Sequence, residues 1–327
     1  MQQVMSQIRE VLLSQKCVAV ISHNNPDGDT LGSQLALAAA LGNAGIETIL
    51  LNNDTISEKY HFVAGSERIQ PYQEGMELPE VVVFVDCASL ELAGCSADTP
   101  FLQGRTLINI DHHTSNRQYG SINYVKGDAA ANCQNMYELI RALDVEITPE
   151  IATALYMGLS TDTGHFLFDN VSSETLRIAA ELKDRGADTN TLRLNMYESC
   201  SHKRIALMKY ILNDLHISVN GKYAWSKLHY EMMEQLKPES TDIDGLVNTI
   251  KDIDGVEIAM LFRGVAPDKT KVSLRSKAWA DVNAVAGQFG GGGHVRASGC
   301  SFSCSVEEAA EQLVPAVKKY IEETEQH

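Results

Sequence analysis

Positive charge is scarce in this chain of 327 residues: 27 Lys and Arg stand against 43 Asp and Glu, a net charge of −16. That balance argues against a long polyanion gripped along the whole surface, because each phosphate contact needs a cation, and leaves a short or small phosphorylated substrate open. Long apolar runs are missing as well. None approaches the roughly eighteen residues of a membrane span, and residues 1–15 (MQQVMSQIREVLLSQ) lack a basic start followed by an apolar core. A cytoplasmic protein without a membrane partner is the expectation. The cysteines (Cys17, Cys87, Cys95, Cys133, Cys200, Cys300, Cys304) are odd in number and form no C-x-x-C pair, so neither a disulfide framework nor a structural zinc site is indicated. No G-x-G-x-x-G, G-x-x-x-x-G-K-[ST] or G-x-S-x-G occurs, which removes nucleotide-cofactor dehydrogenases, P-loop kinases and serine hydrolases of the usual pattern.

What the chain does have is a set of short β-branched runs that break off on acid or imidazole. Residues 17–21 (CVAVI) lead into His23-Asn24-Asn25-Pro26-Asp27-Gly28-Asp29, residues 81–85 (VVVFV) end on Asp86, and residues 107–110 (LINI) lead into Asp111-His112-His113. Such runs read as buried parallel strands whose carboxyl ends converge, the edge where open α/β sheets place ligands. With a further strand at 48–51 and helices over 30–44, 129–143, 149–160 and 173–185, the first part predicts a doubly wound α/β domain spanning 1–190.

A long helical stretch over 191–212 follows without a glycine or proline break, so 191–214 is expected to be a helical linker. The second domain, 215–327, is a smaller α/β unit. It opens on a hairpin about Asn220-Gly221, continues with strands at 256–262 and 271–275 and a helix over 282–289, and closes on an amphipathic helix over 306–323. Residues 256–300 hold six Lys and Arg against three acids, so the basic patch lies in this smaller domain.

Asp27 and Asp29 stand two apart in a loop that holds Pro26 and Gly28, and His23 closes the strand before them. Alone, this H-x-x-x-D-x-D reads equally as a capped turn in which Asp29 or Thr30 satisfies the next helix. Adding Asp86, Asp111, His112, His113 and the helix-end acid Asp162 shifts the reading to a metal centre, because so many like charges at one edge repel unless cations neutralise them. Carboxylate-rich ligation suits Mg²⁺ or Mn²⁺, and the imidazoles tilt the choice toward Mn²⁺ or another transition ion. Asp111 reads as a brace for the histidines.

In the second domain, Gly290-Gly291-Gly292-Gly293 ahead of His294 would let backbone N–H groups approach an anion closely. Arg263 and Arg275 flank strand-like stretches from which a guanidinium could take a terminal phosphate, with Arg296 and Ser298 nearby. Trp225, Trp279, Phe166 and Phe168 read as packing residues, and His165, His202, His216 and His229 as ordinary surface or core histidines.

Taken together, His23-x-x-x-Asp27-x-Asp29-x-x-Gly32-Ser33, Asp86, Asp111-His112-His113, Thr161-Asp162-Thr163-Gly164 and Gly290–Gly293-His294 resemble the DHH/DHHA1 phosphoesterases, in particular the bacterial nanoRNase and 3′-phosphoadenosine-5′-phosphate phosphatase group, over nearly the whole length. The resemblance implies two divalent ions, usually manganese, one held by His23, Asp27 and Asp86 and the other by Asp29, Asp86, His112 and Asp162. It also implies that His113 faces the scissile phosphate, and that the smaller domain, with Arg263, Arg275, Gly291, Gly292, Gly293, His294, Arg296 and Ser298, binds substrate across a cleft. The segment Asn132-Cys133-Gln134 departs from the family pattern, where a small hydroxyl residue and a glutamate are expected.

The function implied is hydrolysis of short oligoribonucleotides, from dinucleotides to a handful of residues, into mononucleotides, and of 3′-phosphoadenosine-5′-phosphate to AMP. Long duplex nucleic acid is not an expected partner, and the oligomeric state is open. Alternatives in the same superfamily are a cyclic dinucleotide phosphodiesterase, a manganese pyrophosphatase or an exopolyphosphatase. A non-catalytic nucleotide sensor would be a different class of answer and would be expected to lack a metal ligand.

Overall fold

The structure is a computed structural model that describes residues 1–73 and 75–324, so the end of the expected second domain, 325–327, lies outside the described residues. Two compact units divide the chain, Met1–Ser199 and Cys200–His327, each built on its own sheet.

In the first unit, β1 (Cys17–Ser22), β2 (Glu47–Leu51), β3 (Ile69–Gln70), β4 (Val81–Val85), β5 (Thr106–Asp111) and β6 (Ile122–Val125) form a parallel sheet of order β3-β2-β1-β4-β5-β6. The order reverses between β1 and β4, the switch point beyond whose carboxyl edge doubly wound sheets bind ligands. The apolar runs at 17–21, 81–85 and 107–110 are strands, and their continuity has a cause: both faces are covered. Val18 and Val20 point to one core, Ala19 and Ile21 to another. Each fully buried side chain such as Phe84 contributes roughly 1.5–3 kcal/mol.

The helices α1 (Gln2–Leu13), α2 (Gly28–Asn43), α3 (Asn132–Ala142), α4 (Pro149–Asp162), α5 (Ser173–Asp184) and α6 (Thr189–Met196) supply the first core. Short 3₁₀ turns such as Leu90–Ala93 and Pro100–Leu102 cover the opposite face. Helices α2 and α4 lie close because Gly32 and Gly158 carry no side chain. A Cβ on Gly32 would strike the Ala154 carbonyl, and one on Gly158 would strike Cys133 Sγ and lie 2.6 Å from Asp29 Oδ1.

The second unit has a mixed sheet of order β11-β12-β10-β9-β8-β7, from β7 (His216–Ile217), β8 (Tyr223–Leu228), β9 (Ile258–Ala266), β10 (Lys269–Ser276), β11 (Gly292–His294) and β12 (Ala297–Phe302). Among the described residues of this unit, only β8 and β9 pair in parallel. On one face lie α11 (Val282–Gly287) and α12 (Val306–Thr324). On the other lie α7 (His202–Asn213), α8 (Tyr230–Leu236), α9 (Ser240–Ile243) and α10 (Leu246–Lys251).

Three expectations change. The single helix over 191–212 is two helices, α6 and α7: Tyr197 and Glu198 both close on the Arg193 carbonyl, and the Ser201 side chain starts α7 afresh by accepting the Arg204 N–H at 2.9 Å. The glycine run, expected only to let backbone N–H groups approach an anion, is in part an edge strand, since Gly292–His294 pairs with β12. Helix α2 starts at Gly28 because its cap is Asp27, not Asp29 or Thr30: Asp27 Oδ1 accepts the Asp29 and Thr30 N–H groups at 2.9 and 3.0 Å. Among the described residues no helix is long and apolar enough to cross a membrane.

Candidate metal centre

Each strand end at the switch point delivers one piece of the site. His23 follows β1, Asp86 follows β4, and Asp111 ends β5 with His112 and His113 behind it. Asp27 and Asp29 come from the start of α2, and Asp162 is the last residue of α4. Ligand atoms within each of three groups lie within 4.8 Å of one another: His23, Asp27 and Asp86; Asp29, His112 and Asp162; and Asp86, His112 and His113. All eight acids and histidines expected of the first unit therefore meet, with Asp111 behind the others.

Asp86 is central. Its residue is only 2 % exposed, its backbone is left-handed (φ 51°), and its N–H is tied to the Ile110 carbonyl at 3.0 Å, which turns the carboxylate off the strand end. Oδ2 lies 3.5 Å from His23 Nε2, and Oδ1 lies 3.5 Å from His112 Nε2. Oδ1 is buried without a hydrogen-bond partner. A buried anionic oxygen in that condition is costly unless a cation completes it.

The two ligand histidines are oriented alike. His23 Nδ1 is 2.7 Å from the Asn24 carbonyl and His112 Nδ1 is 3.2 Å from the Ala129 carbonyl, so each ring is held by its far nitrogen and turns Nε2 to the carboxylates. His112 Nε2 stands 3.3 Å from Asp162 Oδ2 and 3.7 Å from Asp29 Oδ2, longer than hydrogen bonds. Asp111, fully buried, accepts from the His112 N–H at 2.8 Å, meets His113 Nδ1 at 2.8 Å, and takes Asn116 Nδ2 at 2.6 Å on its other oxygen. It braces both histidines.

The electrostatics follow from crowding. Burial and then the charge of Asp86 raise the Asp29 carboxyl above the usual carboxylate range; burial and then the charges of Asp29, Asp27 and Asp86 raise Asp162. Asp86 moves the other way: burial opposes its charge, but His23 at 3.5 Å and the nearby His112 hold it below the ordinary range. Burial disfavours a charged His23, yet Asp86 outweighs it and carries the ring to about 9. For His113 the Asp111 hydrogen bond prevails over burial and likewise gives about 9. Buried carboxylates, one with an orphaned oxygen, alongside imidazoles aimed inward by their outer nitrogens, fit hard divalent cations.

Some contacts at the site are not visible in the sequence. Thr30 Oγ1 lies 2.6 Å from His23 Nε2, 3.0 Å from Asp27 Oδ1 and 2.8 Å from Asp86 Oδ2. The N-terminus of α3 grips Asp29 through the N–H groups of Asn132 and Cys133, the segment that departs from the family pattern. Of the residues read as packing, Phe166 does pack, against Tyr156, but Phe168 is 56 % exposed.

The basic residues belong to the second unit. Residues paired across strands share a face: Arg275 stands opposite Ala297, Ala297 opposite His294, and Arg263 opposite Lys271, two pleat repeats from Arg275. Arg263, Arg275 and His294 thus lie on one face. Burial lowers both guanidiniums, with the charge of Asp244 acting against it. Gly292 and Gly293 form the edge strand with His294, Gly291 precedes them against β12, Ser298 turns its hydroxyl to the His294 carbonyl at 2.8 Å, and Arg296 donates to the Ala280 carbonyl at 2.8 Å. Two of the histidines without a visible role have partners: His216 stacks on Trp225, and His229 sits between Tyr210 and Glu307.

Comparison with known proteins agrees with this division. The family model "DHH family, N-terminal domain" matches residues 17–159 and "DHHA1 domain" matches residues 220–323. A Thermus thermophilus protein named "Bifunctional oligoribonuclease and PAP phosphatase NrnA" is 30% identical over 92% of this chain and 89% of its own length. A Bacillus subtilis protein of the same name is 28% identical over 85% of this chain and 87% of its own. Among solved structures, an exopolyphosphatase-related protein from Bacteroides fragilis superposes with a TM-score of 0.89 at 25% identity, covering 98% of this chain and 97% of that one.

Proposed function

The chain belongs to the DHH family of phosphoesterases and carries a DHHA1 domain, and from that premise we propose that it hydrolyses short oligoribonucleotides to mononucleotides and 3′-phosphoadenosine-5′-phosphate to AMP, using two divalent ions, Mn²⁺ by preference. The observation that carries the reading is Asp86, whose two oxygens face His23 on one side and His112 on the other. One ion would be held by His23, Asp27 and Asp86, the second by Asp29, Asp86, His112 and Asp162. Mixed carboxylate and imidazole ligation favours manganese over magnesium.

When bound, such a pair supplies hydroxide at neutral pH and neutralises phosphoryl charge. The chain's own residues supply the rest. Asp111 fixes His113 through Nδ1, which leaves Nε2 as the nitrogen that can donate to a phosphoryl or leaving oxygen. Asn116 and the His112 N–H hold Asp111 itself, so the imidazole is set before substrate arrives. In the second unit, Arg263, Arg275 and His294 share the face that would capture the substrate's other phosphate or base, and the net charge of −16 disfavours long polyanions.

The test is a side-by-side assay after metal stripping and Mn²⁺ restoration, with a labelled dinucleotide, a five-mer, a twenty-four-mer, 3′-phosphoadenosine-5′-phosphate and inorganic polyphosphate. Rapid turnover of the dinucleotide and the bisphosphate with slow turnover of the longest strand is expected. A metal-loaded enzyme that leaves all the nucleotides untouched, or attacks only polyphosphate, overturns the reading.

A further inference from the structure

Immediately after Asp162 the backbone makes a turn of an uncommon kind. Gly164, His165 and Phe166 are left-handed in succession, with φ of 52°, 63° and 63°. Two of the three are bulky L-residues in a region that disfavours them, and such backbone persists only where its surroundings over-determine it. They do so here. The His165 N–H reaches the Ser160 carbonyl at 2.8 Å, the Phe166 N–H reaches Thr163 Oγ1 at 2.9 Å, and the Leu167 and Phe168 N–H groups share the Thr163 carbonyl at 3.0 Å each. The His165 ring packs edge-on to Tyr197 at 3.6 Å, and Tyr197 is tied to Ser160 at 2.6 Å. Asn170 closes the far end on the carbonyls of Ala130 and Asp162 at 3.0 and 3.4 Å.

All this rigidity presents two apolar side chains to solvent. Leu167 is 81 % exposed and Phe168 56 %. The Phe168 ring is not free to wander: it lies over Gly164, where any Cβ would run into it. An aromatic face is therefore fixed over Gly164, two residues after Asp162, with Phe168 itself six residues after it, and the Asp162 carboxylate stands 3.3 Å from His112 in the metal centre. Two side chains are too small a patch for a protein interface, which buries on the order of 1,000 Å² or more. A net charge of −16 disfavours an anionic lipid surface. A flat π-face held on the turn that follows a residue of the candidate metal centre matches a nucleobase, and stacking of that kind tolerates any base.

We infer that Phe168, flanked by Leu167, is the platform on which the base of the nucleotide carrying the scissile phosphate stacks. The inference rests on the nucleotide reading above and adds to it a stacking contact for that base. Phe168 is a positioning residue: it touches the base, not the reacting bond, and stacking on it would let one site take short oligonucleotides of any sequence.

The test compares wild type, Phe168→Ala and Phe168→Trp as full-length, Mn²⁺-loaded proteins on a dinucleotide and on the same dinucleotide made abasic at either position. Phe168→Ala should raise KM for the intact dinucleotide roughly tenfold, with kcat little moved. The preference for intact over abasic substrate should collapse by the same factor, and Phe168→Trp should restore it. An unchanged KM, or an equal loss on intact and abasic substrates, overturns the platform. Equilibrium binding of AMP to wild type and Phe168→Ala separates this inference from its premise. A wild type that hydrolyses no nucleotide sinks the functional reading alone; weaker AMP binding by Phe168→Ala then still upholds the platform, and equal binding removes it.

Discussion

The backbone N–H of Cys133 donates to Oδ1 of Asp29 at 2.9 Å. With the Asn132 N–H on Oδ2 at 2.6 Å, the first turn of α3 spends two of its unpaired donors on one buried carboxylate. Asp29 is thus structural and, in the proposed function, a ligand. Asp162 differs: it ends α4, where a helix disfavours negative charge, and its neighbours repel it. Without metal, Asp29→Ala leaves two buried donors unsatisfied and should be less stable than Asp162→Ala by about 1–3 kcal/mol. Asp162→Ala should match or exceed wild type. Urea unfolding in excess chelator reads the order directly, and equal midpoints for the two variants contradict the clamp.

Asp86 offers a cleaner test of the shared ligand. Its left-handed backbone makes alanine a poor substitute, since the change adds backbone strain to the loss of charge. Asparagine tolerates that conformation and removes only the anionic oxygen. Asp86→Asn should fold, bind fewer ions by elemental analysis, and lose more than about 100-fold in activity, beyond what residues outside the ligand shell cost. Full metal content with near-normal turnover would show that Asp86 does not bridge two ions.

Much of this site is legible in the amino-acid sequence. Parallel strands buried on both faces must be apolar throughout, so the runs at 81–85 and 107–110 announce themselves, and their carboxyl ends must then carry the ligands. Asp86 and Asp111-His112-His113 are visible for that reason. The clamp on Asp29 is not, because it consists of backbone N–H groups that lie 103 and 104 residues further along the chain. Phe168 reads as packing because periodicity cannot register a turn of three left-handed residues, and it is this turn that swings the ring outward. The break between α6 and α7 did carry a signal, the capping Ser201, but an unbroken helical composition masked it. Strand β11 hid behind glycines, whose β-propensity is poor.

Metal removal should be visible as stability. Ions that bind the folded state and not the unfolded chain stabilise by about 2.7 kcal/mol at one hundred times Kd. The first unit, which gathers the crowded carboxylates, should therefore melt earlier in chelator and recover with Mn²⁺, while added salt of equal ionic strength fails to restore it. Differential scanning calorimetry distinguishes the two. A melting profile indifferent to Mn²⁺ would leave the orphaned oxygen of Asp86 without its expected partner.

The last prediction concerns the second unit and no metal. Glu257, 5 % exposed, points its carboxylate into the bend after β10, where Oε1 accepts the N–H groups of Ala278, Trp279 and Ala280 at 3.0, 2.7 and 2.8 Å. One side chain thus organises three successive donors in the bend that directly follows Arg275 and Ser276, where the Ser276 N–H meets the Arg296 carbonyl at 3.1 Å. Glu257→Ala orphans all three and should cost about 3 kcal/mol or more. Glu257→Gln keeps Oε1 for most of them but turns an amide toward the Ala278 N–H, so its loss should be smaller. Since Arg275 and His294 belong to the same sheet as this bend, Glu257→Ala should also raise KM for a dinucleotide while the metal content stays that of wild type. A variant that unfolds like wild type would mean that solvent replaces Glu257 at those amides; one that instead loses metal would mean that the two units do not divide the work between them.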